Sequence, residues 1–135
     1  MEFLCEDIEF NLTDSVKIEN WINECIELEG KEAGEITYIF CSDPYILEIN
    51  KEHLQHDYFT DIITFDYCFD DIINGDMFIS IDTVRDNAVR FNQSFEQELY
   101  RVVIHGILHL IGYNDSNDEE QRIMSLKEDF YLGRL

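Results

Sequence analysis

The residues best suited to chemistry lie in one stretch, His105-Gly106-Ile107-Leu108-His109-Leu110-Ile111-Gly112-Tyr113-Asn114-Asp115. Its pattern is H-x-x-x-H-x-x-G-x-x-D. Two histidines four apart on a helix share a face, one turn from each other. Their imidazole nitrogens can then reach one metal ion at about 2.0–2.1 Å. Gly112 is the residue type that most readily ends a helix with a positive φ, which would turn the chain and aim Asp115 at the same point. Three protein ligands leave a coordination position open, the pattern of a catalytic rather than a structural zinc site. The alternative is a pair of satisfied core histidines inside the apolar run Val102 to Ile111. Burying two imidazoles without partners is costly, and a shared metal removes that cost.

The elements that must position this stretch can be read from periodicity and punctuation. Phe3 to Asn11 alternates and predicts a strand. Ser15 to Leu28 predicts a helix with Ile18, Trp21, Ile22, Cys25 and Ile26 on one face. Gly30 and Gly34 bracket a loop before Ile36 to Cys41, a β-branched and aromatic central strand. Asp43 and Pro44 form an N-cap and first-turn pair opening a helix to about Leu54. Asp57 to Phe69 is expected to be extended, and Asn74-Gly75 is expected to be a two-residue hairpin turn. A helix from about Thr83 to Phe91 follows. Ser94 with Gln97 predicts a capping box at the start of the histidine helix. Asn117 with Glu120 predicts a similar start for a last helix carrying Ile123, Met124, Phe130 and Tyr131. The order β-α-β-α-β-β-α-α-α predicts an α+β fold over residues 1–135: a single domain, a mixed sheet of about four strands with about five helices, the metal site ending the penultimate helix.

The composition narrows the function. An apolar content of 45% with six Gly and one Pro fits a globular chain with a core of its own. No run of 18 apolar residues occurs, so no membrane span is expected. The acidic start, Met1 to Asp7, does not read as a signal peptide, and a cytoplasmic location is expected. Cys5, Cys25, Cys41 and Cys68 are scattered, without a C-x-x-C pair, and are expected to be reduced and mostly buried. Thirty acidic residues against nine basic ones give a net charge of −21. That charge repels polyanions, so any contact with RNA must be local. Arg85, Arg90 and Arg101, just before the histidine motif, are the candidate RNA-binding residues; the alternative is that they pair with Asp86, Glu96 and Glu98 on a solvated face.

The motif from His105 to Tyr113 resembles the signature of the YbeY family of endoribonucleases and rRNA maturation factors. Thr60-Asp61-Ile62-Ile63-Thr64-Phe65 is similar to that family's T-D-V-L-S-F segment, and Gly75-Asp76-Met77-Phe78-Ile79-Ser80 to its G-D-I-x-I-S strand. Glu119-Glu120, Met124 and Glu128 fit its C-terminal helix. The resemblance implies a zinc-dependent hydrolase acting on single-stranded RNA, in 16S rRNA 3′-end maturation and ribosome quality control. The implied partners are rRNA and the small ribosomal subunit, with ribosomal or GTPase proteins beside them. It also makes Asp61 a candidate acid/base or metal-site neighbour; the alternative is a capping or strand-edge aspartate.

Two positions depart from the family pattern. The third ligand position, usually His, is Asp115. Aspartate still binds zinc, at about 2.0–2.2 Å. Its negative charge should weaken the ion as a Lewis acid, and its harder oxygen brings nickel, manganese or iron into range. Leu54 stands where the family usually places an arginine and cannot hold a phosphate. His53 and His56, three apart, are the substitutes for that contact, or two exposed histidines at a helix end. Metal-assisted hydrolysis of a phosphodiester is the expected reaction. One rival is a metallopeptidase or other metallohydrolase. Zincin proteases carry Glu after the first histidine, where Gly106 stands here. The other rival is a ribosome-associated scaffold that keeps a metal for stability and has little catalysis.

Overall fold

The structure, a computed structural model, describes residues 1–54 and 60–135, with Leu54 described by its backbone alone. Its elements are β1 (Glu2–Cys5), α1 (Ser15–Leu28), β2 (Glu32–Cys41), α2 (Asp43–Leu54), β3 (Ile62–Asp66), β4 (Ile72–Ser80), α3 (Ile81–Arg90), α4 (Phe95–Ile111) and α5 (Asp118–Leu132). The strands form one mixed sheet in the order β1-β2-β4-β3. β1 and β4 both run parallel to β2, and β3 pairs antiparallel with β4. Class, element order and helix count agree with the expectation from sequence.

Side-chain periodicity explains the layers. β2 turns Ile36, Tyr38 and Phe40 to the main core, which α1 and α4 cover. Cys41 joins Ile46 of α2 and Ile63 of β3 in a smaller cluster. The polar tips of buried aromatics find backbone acceptors: Trp21 Nε1 donates to the Tyr131 carbonyl at 2.7 Å, and Tyr38 OH to the Val103 carbonyl at 2.8 Å. Among the described residues no helix is long and apolar enough to cross a membrane.

Three local expectations are corrected. β1 ends at Cys5 rather than Asn11, because Asp7 turns back with φ 47° and its carboxylate accepts from the Ser42 backbone N–H and hydroxyl. Ser42, not Asp43, caps α2: its hydroxyl accepts from the Tyr45 N–H. Asp43 is thereby free to accept from Ser80 and Thr83, which ties α2 to the start of α3. Asn74-Gly75 is not a turn. The chain reverses at Asp70-Asp71, where Phe69 and Ile72 exchange backbone hydrogen bonds and Asp70 has φ 53°. β4 runs straight through Asn74, whose side chain accepts from the Glu35 N–H at the bulge of β2. A Cβ on Gly75 would lie 2.8 Å from the Phe65 carbonyl and 2.9 Å from Leu110 of α4. This Asn-Gly pair therefore serves a bulge and a close helix approach. Of the extended segment expected from Asp57, residues 57–59 lie outside the described ones, and β3 covers Ile62–Asp66.

Glu29, just past α1, gathers the far end of the molecule. Tyr113 OH donates to its Oε1 at 2.6 Å, and Tyr131 OH and Lys127 Nζ donate to Oε2. Burial works to raise its pKa, but these hydrogen bonds outweigh burial and hold it below the usual glutamate range.

Two stability predictions follow from this packing. Gly75→Ala should lower the urea midpoint by the equivalent of about 1–3 kcal/mol, because one of the atoms it meets is backbone and cannot rotate away. Glu29→Gln should cost roughly 1.5–3 kcal/mol at pH 7. A carboxylate whose folded pKa is depressed stabilises above its unfolded pKa and stops doing so as pH falls through the folded value. The gap between wild type and E29Q in thermal melts should therefore close on acidification below the ordinary glutamate range; a gap constant with pH would refute the charged clamp.

Candidate metal centre

α4 begins with the reciprocal capping box foreseen from sequence. The Gln97 N–H donates to Ser94 Oγ at 3.1 Å, and the Ser94 N–H donates to Gln97 Oε1 at 3.0 Å. The helix ends in a paired C-terminal turn: the Tyr113 N–H reaches the Leu108 carbonyl and the Gly112 N–H the His109 carbonyl. Gly112 has φ 127°, a conformation that side chains resist, and no neighbour crowds it. Conformation rather than space therefore demands glycine there. The turn brings Asp115 back beside the helix, where Gln121 Nε2 donates to its carbonyl at 3.1 Å. Asn117 then starts α5 by accepting from the Glu120 N–H.

The two imidazoles lie nearly parallel, 6.1 Å between centroids and 11° between planes. Each has its Nδ1 engaged by an acceptor. His105 Nδ1 meets Glu128 Oε2 at 2.6 Å, and His109 Nδ1 meets the Tyr113 carbonyl at 3.0 Å. A carbonyl and an ionised carboxylate can only accept, so both Nδ1 atoms carry the hydrogen. In the neutral rings Nε2 then holds the lone pair. A tetrahedral ion with bonds of about 2.0–2.1 Å sets neighbouring ligand atoms about 3.3–3.4 Å apart. His105 Nε2 and Asp115 Oδ2 stand 3.3 Å apart. His109, exposed at the last turn of α4, lines the same cleft. Among the described residues no three His, Cys, Asp or Glu groups are already gathered around one point. The donor set, its spacing and its hydrogen-bonded imidazoles nonetheless fit a small divalent cation.

The cleft has a volume of about 610 Å³ and is also lined by Asn50, Thr60, Asp61 and β3. Its electrostatics favour positive charge. Burial alone would lower the pKa of His105, but Glu128, Asp115 and Asp61 outweigh it and hold the value above the usual histidine range. Burial raises the pKa of Asp61, with His105 opposing it. Glu98, 4% exposed on the same helix face, is raised first by burial and then by the Asp61 carboxylate.

The candidates from sequence separate clearly. His105, His109, Asp115 and Asp61 share the cleft. Arg101 is committed elsewhere, to Glu128 at 2.7 Å and Asp129 at 2.8 Å. These are not the partners expected for it. Arg85 lies over the Phe95 ring at 5.5 Å. Arg90 is exposed in a groove that shares Thr60 and Asp61 with the cleft. His53 stands edge-on to Phe65, 5.8 Å between centroids, in a depression away from the histidine motif. His56 lies outside the described residues. Cys25 and Cys41 are buried, and burial pushes their thiols up to about 12; Cys68 is half-buried and Cys5 exposed.

Sequence reasoning missed the part played by Glu128, missed Asn50 altogether, and placed Glu98 on a solvated face although it is buried. The signals were present. Glu128 interrupts the buried stripe of Met124 and Tyr131. Glu98, Arg101, His105 and His109 recur at three- and four-residue intervals along a helix that is mostly apolar after its first turn.

Comparison with known proteins finds relatives over nearly the whole chain. The family profile described as Endoribonuclease YbeY matches residues 4–135. The Endoribonuclease YbeY of Phocaeicola vulgatus is 60% identical over 113 residues, covering 84% of this chain and 82% of that protein. That of Parabacteroides distasonis is 50% identical over 133 residues, covering 98% and 94%. The solution structure of TM1509 from Thermotoga maritima superposes with a TM-score of 0.69 at 29% identity, covering 98% of this chain and 87% of that one. A profile match over nearly the whole chain and relatives at half identity or more, on a fold that aligns end to end, establish that this chain belongs to the YbeY endoribonuclease family.

Proposed function

We propose that this chain is a metal-dependent, single-strand-directed endoribonuclease of 16S rRNA 3′-end maturation and ribosome quality control. It works in the cytoplasm on rRNA in the small ribosomal subunit, with ribosomal or GTPase proteins as further partners. Family membership supports the reaction class. The observation that carries the metal assignment is the pair of imidazoles held at Nδ1, with Asp115 at ligand spacing from one of them.

His105, His109 and Asp115 would hold one ion. Zinc is the first choice, with nickel, manganese or iron admitted by the aspartate oxygen. Such an ion supplies Lewis acidity toward a phosphoryl oxygen and acidifies water. Asp61 faces the same cleft, and its raised pKa suits a group that exchanges a proton with a substrate or leaving oxygen. Gly106 has no such role. A Cβ there would meet Met77 and Ile62, so the position where zincin proteases carry their Glu faces the sheet. This favours the nuclease over the peptidase. Arg90 is the cation best placed to receive the strand, because its groove opens from the cleft at Asp61.

Three measurements test this. His109→Ala should cut metal content, read by elemental analysis, to about a tenth and abolish chelator-sensitive cleavage of single-stranded RNA; full metal retention would refute the ligand assignment. Asp115→His should keep the metal and raise the cleavage rate several-fold, since a neutral ligand leaves a stronger Lewis acid; an equal or lower rate would reject that argument. Arg90→Ala should weaken RNA binding and reduce the slope of log affinity against log salt by about one, while Arg101→Ala should leave that slope unchanged.

A further inference from the structure

We propose that Glu128 of α5, aimed by Arg101, is the positioning residue that presents His105 Nε2 to the ion; this rests on the metal reading above. Glu128 is 6% exposed, and its carboxylate uses its two oxygens differently. Oε2 accepts from His105 Nδ1 at 2.6 Å, and Oε1 accepts from Arg101 Nη1 at 2.7 Å. The other arm of Arg101 donates to Asp129 Oδ1 at 2.8 Å, so the guanidinium is fixed at both ends. If Glu128 served only to staple α5 to α4, the Arg101 contact would suffice. Instead it reaches past Arg101 to the ligand histidine one turn along.

The consequence is a choice of tautomer. A histidine left to itself favours the proton on Nε2, which removes the lone pair a metal needs. A carboxylate cannot donate, so it holds the proton on Nδ1 and leaves Nε2 bare. His109 obtains the same result from the Tyr113 backbone carbonyl, which no substitution at position 113 removes. His105 depends on a side chain and can therefore be tested.

Arg101 sharpens the test. It can only donate, so in Glu128→Gln it should hold the amide oxygen and turn the amide nitrogen toward His105. That NH2 must donate to Nδ1, which drives the proton to Nε2. Releasing the constraint in E128Q/R101M lets the amide turn its oxygen back to His105.

The experiment uses the full chain. Two-bond ¹H–¹⁵N NMR of the metal-free protein at pH 9 reads the His105 tautomer, and chelator competition reads zinc affinity. Wild type should show the Nδ1–H form. E128Q should show the Nε2–H form and bind zinc about 10–100-fold more weakly. E128Q/R101M should recover the Nδ1–H form and part of the affinity, a reversal that general destabilisation would not give. If E128Q does not fold, E128A reads the same two quantities, with loss of the Nδ1–H preference expected. An unchanged tautomer in E128Q or E128A, or zinc affinity within twofold of wild type, overturns the proposal. If wild type binds none of zinc, nickel, manganese or iron, the metal reading fails by itself, and the tautomer comparison still decides whether Glu128 sets His105.

Discussion

Two acceptors that cannot donate govern the candidate site. The Tyr113 carbonyl and the Glu128 carboxylate each hold one imidazole by Nδ1, which leaves both Nε2 atoms for the cleft. Other features serve that condition. The Gly112 turn places the Tyr113 carbonyl opposite His109 and returns Asp115 to the helix. Glu29 grips the Tyr113 hydroxyl and so anchors the turn to α1. α5 packs along α4 and delivers Glu128 to His105.

The helix bearing the histidines must also lie close to the sheet. A Cβ on Gly106 would come within 3 Å of the Met77 and Ile62 side chains, and one on Gly75 within 3 Å of Leu110 and the Phe65 carbonyl. This approach gives the histidine face and β3 a common cleft. It also points the residue after His105 at the sheet rather than at the cleft. The same contact that seats the helix removes the position at which a related metal motif carries its glutamate.

Much of this was legible from residue types and spacing. The helix caps at Ser94 and Asn117 were readable because each rests on local hydrogen bonds within four residues. So was the α1 face, whose apolar positions follow the helical period. The shared cleft of His105, His109 and Asp115 was foreseeable because they lie within eleven residues joined by one turn. What failed depended on distant chain. Asn74-Gly75 has the composition of a turn, but its neighbours are a bulge in β2 and a leucine of α4, and neither is visible locally. Ser42 displaced Asp43 as the cap because Asp7, 35 residues earlier, supports it. Arg101 was read as a surface cation, yet its partners come from a helix 27 residues on.

The Glu29 knot has a consequence for the order in which the protein can mature. Its partners come from position 113 and, with Lys127 and Tyr131, from the last helix. A nascent chain still lacking α5 has neither Lys127 and Tyr131 for this knot nor Glu128 for His105. The surroundings of His105, unlike those of His109, are thus complete only once α5 has been made.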